Sequence, residues 1–568
     1  MFTRARRPLF LFLTLTILLI VVASVSAAPS RTMAVQILAI NDFHGNLEPP
    51  AGSSGRIGTI NAGGVEYLAT HIQSLRLDNP NTVVVSAGDL IGASPLISAL
   101  FHDEPTIEAF NLIGLNFNAV GNHEFDEGVT ELLRMQYGGC HPIDGCQDGD
   151  PFGGAKFSFL AANVVWADTG KPILPAVRTA NFSDRLMVKK GEKPLAKKIA
   201  FIGMTLEGTP TIVTPSGVAG VRFLDEADTV NALVPKLKAL GVEAIVVLVH
   251  EGGFQAGTYN ECVGVSGPIV DIVNRLDPEV DIVISGHTHQ AYNCVINDKL
   301  VTSAASFGRL VTDIDLSLDM YTGEITSMQA NNVIVTRDVP PSTLLTALVE
   351  KYRTLSAPLA NRVIGAISAD ILRTNNTAGE SALGDVIADS QLYATAPAGF
   401  GEADIAFMNP GGIRADLIYA QSGSEGDGNV TYNEAFTVQP FGNSLVTMSL
   451  TGEQIHRLLE QQFDNPAVGS NRILQVSTGF TYAWSASAPT GSKIDPASIM
   501  LNGVPLDMNA VYRVTVNNFL ADGGDNFSVL LEGTDRLGGA QDLDALEAYL
   551  TAFSPVAPGP MDRIIQVP

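Results

Sequence analysis

Basic residues are scarce in this chain of 568 residues: 34 Lys and Arg stand against 59 Asp and Glu, a formal charge of −25. A surface of that sign repels polyanions at long range, which disfavours nucleic-acid polymers as partners. An anionic small substrate must be drawn in locally, by bound cations or a small Arg cluster, because bulk charge is screened beyond ~8 Å. Cysteine is equally sparse, with Cys140, Cys146, Cys262 and Cys294 the whole set. Repeats of 20–50 residues are absent, which removes solenoids and propellers. No apolar tail closes the chain, so the signal for a C-terminal lipid anchor is missing.

Long hydrophobic runs are lacking except at one place. Arg4, Arg6 and Arg7 precede the apolar stretch Leu9 to Val25, and Val25-Ser26-Ala27 has the form of a small-x-small cleavage site. Residues 1–27 therefore read as a signal peptide, and the chain as exported, whether extracellular, periplasmic or on the cell surface. The alternative is an uncleaved anchor, since the run approaches the ~20 residues that span a bilayer; only then does a membrane become a partner. In an exported protein an even number of cysteines favours disulfides. Cys140 and Cys146 enclose a short Pro/Gly/Asp loop and are expected to pair, which leaves Cys262 for Cys294.

What the chain has is a recurrent pattern in its first half. Short apolar, β-branched runs alternate with amphipathic stretches from Ala34 to about Pro340, implying a sheet covered by helices. Five of these runs end in Asp, His or Asn beside Gly. Val35 to Ile40 leads to Asn41-Asp42-Phe43-His44-Gly45, and Thr82 to Ser86 to Ala87-Gly88-Asp89. Phe117 to Val120 leads to Gly121-Asn122-His123, Ala244 to Val249 to His250-Glu251-Gly252-Gly253, and Asp281 to Ser285 to Gly286-His287-Thr288-His289. Open α/β sheets place their chemistry at such carboxyl ends, and a neighbouring Gly lets the backbone turn and a metal approach. Five of the nine histidines sit in these positions. His71, His102, His141 and His456 carry no partner pattern and read as ordinary surface or helix histidines. In Gly121-Asn122-His123-Glu124-Phe125-Asp126-Glu127-Gly128, Asn122 can ligate through its carbonyl oxygen. His123 can donate to developing negative charge, with Asp126 holding its imidazole in one tautomer.

Pro340-Pro341 closes this unit. Leu344, Leu345, Leu348, Val349 and Tyr352 are spaced for a helix within Ser342 to Ala360, read as a linker between two domains. The pattern then turns mixed: a helix over Leu383 to Tyr393, a strand over Ile405 to Met408, and a helix over Gly452 to Phe463. Strands follow over Phe480 to Trp484 and Tyr512 to Asn517. Two Gly-rich loops expose aromatics, Phe441-Gly442-Asn443 and Asn517 to Phe527. Asn409-Pro410-Gly411-Gly412-Ile413-Arg414 joins a Gly turn that can receive an anion to an Arg.

The five strand-end blocks, in this order, resemble the ligand set of the calcineurin-like metallophosphatases, and together with the C-terminal blocks they resemble the exported bacterial 5′-nucleotidases over nearly the whole mature chain. The resemblance implies an α/β protein with an N-terminal metallophosphatase β-sandwich flanked by helices (34–340), a linker helix (341–362) and a mixed α+β substrate-recognition domain (363–568). It implies two divalent metal ions, one on Asp42, His44, Asp89 and His289, the other on Asp89, Asn122, His250 and His287. Mixed nitrogen and oxygen ligation suits zinc, manganese or cobalt better than magnesium. Two such ions outweigh the charge of the two carboxylates, which meets the need for a local cation in an acidic protein. His123 and Asp126 match the family's catalytic dyad. Phe441 and Phe519 would sandwich a base, Asp525 would accept from the ribose hydroxyls, and Asn409 and Arg414 would contact base, sugar or phosphate. Family members carry further Arg residues before the Leu-Gly of the next helix, here Leu383-Gly384, where this chain offers only Arg373.

The implied activity is hydrolysis of the 5′-phosphate of nucleotides such as AMP by a monomeric enzyme. The competing expectations are a 2′,3′-cyclic nucleotide phosphodiesterase, a UDP-sugar pyrophosphatase, and a non-catalytic nucleotide-binding or adhesion protein.

Overall fold

The computed structural model describes residues 32–50, 52–183, 196–213, 215–465 and 468–568; the signal-peptide reading falls outside them. The first domain holds two six-stranded sheets rather than one. In the first, the order is Ile325–Ile334, Leu310–Asp319, Thr32–Ile40, Thr82–Ser86, Phe117–Ala119, Ser158–Leu160; in the second, Ala291–Ile296, Lys299–Ala304, Ile282–Ser285, Ala244–His250, Ala196–Thr205, Val177–Ser183. They pack face to face through Val35, Ile37, Val83 and Val85 of one and Phe201, Val246, Leu248 and Ile284 of the other, and helices cover the outer faces.

The β-sandwich flanked by helices that the family resemblance implied is what forms; only the reading of one helix-covered sheet from the apolar runs is corrected, for a physical reason. A strand such as Ala244–His250 is buried along its whole length, and an unbroken apolar run says that both faces are covered without saying by what. In each sheet the central strands run parallel, Ile37 beside Val83 and Val85 beside Phe117 in one, Val246 beside Phe201 and Ile282 in the other. Their carboxyl ends therefore gather at one rim.

The helix Thr343–Ala360 starts after the Pro pair and packs Leu345, Val349 and Tyr352 into the first domain's core. The Tyr352 hydroxyl donates to Glu108 at 3.0 Å and Asp148 at 2.9 Å, and Lys351 pairs with Asp148 at 2.6 Å. It also contacts the helix Tyr432–Val438 beyond it, so it is anchored on one domain and touches the other. The second domain is built on a five-stranded sheet, ordered Gln475–Val476, Ile405–Met408, Val511–Asn517, Ser444–Thr451, Thr534–Gln541, and a four-stranded sheet that includes Phe480–Ser485. Its helix Gly452–Glu460 stops short of the expected Phe463. There the chain turns so that Phe463 packs 5.2 Å from Trp484 and bridges to Asn471. Both expected disulfides form, Cys140 with Cys146 and Cys262 with Cys294. Among the described residues no helix is long and apolar enough to cross a membrane.

Candidate metal centre

The rim of converging strands gathers the five blocks into one cluster. Asp42, His44, Asp89, Asn122 and His250 are buried, and His287 and His289 are half-buried above them. The backbone is bent to achieve this: Asp42, His44, Asp89, His287 and His289 all adopt left-handed φ between 48° and 69°. That region costs a non-Gly residue of the order of 1–3 kcal/mol and persists at functional sites where the surrounding fold enforces it. Two glycines make the approach possible. A Cβ on Gly121 would stand 2.2 Å from Asp89 Oδ1 and 2.6 Å from Asp89 N; one on Gly88, itself at φ 93°, would meet His250 Nδ1 at 2.6 Å.

The donor atoms stand at the separations that ligands of one cation require, roughly 3.0–3.4 Å for bonds of about 2.1 Å. His44 Nε2 lies 3.0 Å from His289 Nε2, and His289 Nε2 lies 3.4 Å from Asp42 Oδ1. His44 Nε2 is 3.7 Å from Asp89 Oδ2, which is 2.9 Å from His250 Nε2. His287 Nδ1 lies 3.0 Å from Asn122 Oδ1. Asp89 thus stands between two groups, with Asp42, His44 and His289 on one side and His250 and His287 on the other.

Hydrogen bonding fixes which nitrogens are bare. His44 Nδ1 donates to Gly92 O at 2.9 Å and His250 Nδ1 to Ala87 O at 2.8 Å, so in the neutral ring each Nε2 keeps its lone pair for the cluster. His250 Nε2 is buried, faces Asp89 and lacks the alignment of a hydrogen bond with it. A lone pair aimed at a carboxylate oxygen in a dry site is repulsive unless a positive charge lies between them, and a divalent cation answers that need. Burial holds His44 well below the ordinary imidazole value, and burial together with His250 pushes His287 down to about 3. Both stay neutral, as metal ligands must. Without a cation the cluster can balance its carboxylates only with protons: burial lowers His250, and Asp89 more than offsets it, to about 10.

The dyad stands beside the cluster. His123 Nδ1 is 2.8 Å from Asp126 Oδ2, and the His123 backbone N–H donates to Asp89 Oδ1 at 2.9 Å. Burial alone lowers the imidazole, and Asp126 with Asp89 turns the net shift upward. The His123 ring stacks on Phe441 of the second domain, centroids 5.6 Å apart and planes 18° off parallel.

A cavity of about 340 Å³ opens from His123, Asn122 and His287 toward Asn409, Arg414, Phe441, Phe519 and Asp525. Arg414 lies 5.8 Å over the Phe441 ring, and Asn409 Nδ2 donates to Asp525 Oδ2 at 3.0 Å. Arg373 is exposed and does not itself line this cavity, but its guanidinium donates to Ile413 O at 3.4 Å, next to Arg414, and burial together with Arg373 lowers Arg414 from the ordinary guanidinium value.

The sequence reading passed over several residues that shape the site. Glu124 is buried, and both its oxygens accept backbone N–H groups, from Asp89 and Gly121 on one and Leu90 on the other. Burial and Asp89 push its carboxyl up to about 7. Asn41 steadies Asp42 through a 2.6 Å bond to Oδ2. Both belong to the quoted blocks, where a polar residue inside an apolar strand end was the available signal. Asn443 and Asn517, from the two Gly-rich loops, also line the cavity, as do Arg472, Ile212 and Val213, which nothing local marks. Replacing Glu124 by Gln turns an amide N–H2 toward a backbone donor; metal affinity is expected to fall about 10–100-fold, read by calorimetric titration with manganese or zinc.

Two histidines read as ordinary are not. His102 lies between Glu127 Oε2, 2.8 Å from Nδ1, and Asp144 Oδ2, 2.9 Å from Nε2, and stacks on His141 at 3.8 Å. Its hydrogen bond to Glu127 outweighs burial, and with Asp144 and Glu131 adding to it His102 rises to about 9. A folded value above the unfolded 6.5 means that this stabilisation is complete below pH 6.5 and lost as pH rises through 9. After discounting for the exposed carboxylates, His102→Gln should cost on the order of 1–2 kcal/mol at pH 6. The difference from the native protein should close by pH 10 in denaturant unfolding.

Residues 35–291 match the calcineurin-like phosphoesterase family and residues 363–532 the 5′-nucleotidase C-terminal domain. The chain belongs to the 5′-nucleotidase family of calcineurin-like phosphoesterases. Among solved structures, the 5′-nucleotidase precursor of Thermus thermophilus is similar with a TM-score of 0.74 and 27% identity, over 94% of this chain and 99% of that one. Among curated proteins, endonuclease YhcR of Bacillus subtilis is 32% identical over 93% of this chain, and cell wall protein Lmo0130 of Listeria monocytogenes is 32% identical over 89%. This chain spans only 41% and 65% of their respective lengths. The family is one of metal-dependent hydrolases, and the cluster around Asp89 has the donor chemistry such a metal needs.

Proposed function

We propose that this chain is an exported dinuclear-metal phosphohydrolase that removes the 5′-phosphate of nucleotides such as AMP, giving nucleoside and inorganic phosphate. One observation carries the reading: a single cavity joins the edge of the metal cluster to a wall bearing two aromatic rings and a carboxylate. Its size suits a nucleotide, and a phosphate seated at Asn122 and His287 leaves the remaining length for sugar and base.

Asp42, His44, Asp89 and His289 would hold one cation and Asp89, Asn122, His250 and His287 the other, with zinc, manganese or cobalt favoured by the nitrogen and oxygen donors. A pair of divalent cations bound there supplies charge neutralisation for the phosphoryl oxygens and a lowered pKa for the attacking water. The chain's own residues do the rest. Asp126 accepts from His123 Nδ1 and, against burial, joins Asp89 in favouring the doubly protonated ring, so the Nε2–H of that imidazolium would stabilise the transition-state charge or pass its proton to the departing 5′ oxygen. Arg414, already in the field of Asp42, Asp89 and Asp126, meets the substrate's negative charge. Phe441 and Phe519 hold the base by stacking, worth roughly 1–3 kcal/mol. Asp525 and Asn409 take the sugar. Two disulfides and a cell-wall relative support export.

The test is phosphate release from AMP, UDP-glucose and 2′,3′-cyclic AMP with added manganese or zinc, beside cleavage of duplex DNA. AMP is expected to be the best substrate, with activity removed by chelator and restored by metal. Faster turnover of the cyclic or sugar nucleotide, nicking of DNA, or nucleotide binding without phosphate release would each replace this reading.

A further inference from the structure

Arg472 lies at the far end of the cavity from the metal cluster and has no part in the chemistry above. It pairs through Nη1 with Asp525 Oδ1. Asp525 itself is held firmly: Asn409 occupies its other oxygen, Asn465 Nδ2 donates to its backbone carbonyl at 2.7 Å, and its φ is 56°. The Arg472 side chain is 23% exposed, and among the described residues its guanidinium has Asp525 as its one partner. A largely desolvated guanidinium with most of its N–H donors uncommitted is an anion receptor waiting for a second acceptor.

We infer that Arg472 fits the sugar end of this cavity to nucleoside 5′-monophosphates carrying a second phosphate on the ribose. The inference rests on the nucleotide reading above and narrows its substrate class. A lone carboxylate at the ribose edge accepts from the hydroxyls and repels an anionic substituent. An Arg at the same edge reverses that preference, the rule by which dinucleotide sites tell a free 2′-hydroxyl from a phosphorylated one. Here both groups are present and cancel, so hydroxyls are still received by Asp525 and a phosphate meets the open face of the guanidinium. In a chain of charge −25, a substrate with two phosphates needs a local cation at each end. The metal cluster is one and Arg472 is the other.

The experiment compares kcat/KM for AMP, adenosine 3′,5′-bisphosphate and adenosine 2′,5′-bisphosphate in the native enzyme, Arg472→Gln and Arg472→Lys. The native enzyme is expected to cleave at least one bisphosphate as efficiently as AMP. The ratio of bisphosphate to AMP should fall about 10–100-fold in Arg472→Gln, mainly through KM, with partial recovery in Arg472→Lys. An unchanged ratio would make Arg472 only the residue that aims Asp525, and native rejection of both bisphosphates would overturn the inference while leaving AMP hydrolysis standing. If AMP itself is not cleaved, the nucleotide reading has failed. Calorimetric binding of the bisphosphates, lost in Arg472→Gln or not, then decides the Arg472 site by itself.

Discussion

Asp89→Asn is expected to leave neither cation bound at micromolar concentration and to lower kcat/KM for AMP by a factor of about 10³ or more. Asp89 is the one side chain shared by both donor groups, with Oδ2 2.9 Å from His250 Nε2 and 3.7 Å from His44 Nε2. Its Oδ1 also accepts the His123 N–H. An amide keeps the shape but removes the charge that outweighs burial at His250, and it turns an N–H2 toward either the ring nitrogen or the backbone donor. Elemental analysis after dialysis, together with phosphate release, reads the result. A variant that kept two equivalents of metal and native turnover would refute the bridging placement.

The second large effect is expected at His123. In His123→Asn the metal content stays at the native level and turnover falls by a factor of about 10² or more, because His123 faces the cavity without being needed as a ligand. Asp126→Asn should lie part-way, since the 2.8 Å contact with Nδ1 holds the ring and its charge rather than donating to substrate. His123 also stacks on Phe441 across the domain boundary, so its loss should raise KM as well, whereas Asp126→Asn should act mainly on kcat. Unchanged turnover in His123→Asn would remove the residue from the mechanism.

These two positions differ in how they could be found. The residues around Asp89 were legible because each sits at the end of an apolar run beside Gly, and the recurrence survives without coordinates. His123 and Asp126 lie three apart in one turn, a spacing that local geometry alone brings within hydrogen-bond reach. Glu124 was in plain view but its three backbone partners were not, since two of them, Asp89 and Leu90, lie more than thirty residues away. Arg373 was carried over from the family pattern, and only the tertiary structure sets its guanidinium against Ile413 O, beside Arg414 and outside the cavity lining. His102 carries no mark in sequence, because Glu127 and Asp144 meet it only through tertiary packing, whereas His141 and Asp144 lie three apart in one disulfide loop.

Taken by itself, the amino-acid order determined the family, the disulfide pairs, the helix after the Pro pair and the set of donor side chains at the strand ends. All of these depend on residue type at strand ends, short loops or one helical face, which are local quantities. Tertiary structure decided which apolar faces of the two sheets meet, that five of the strand-end donors sit in left-handed backbone, and that Arg472 stands against Asp525. Those outcomes depend on which buried faces meet, and a strand buried on both sides carries the same apolar letters whatever covers it.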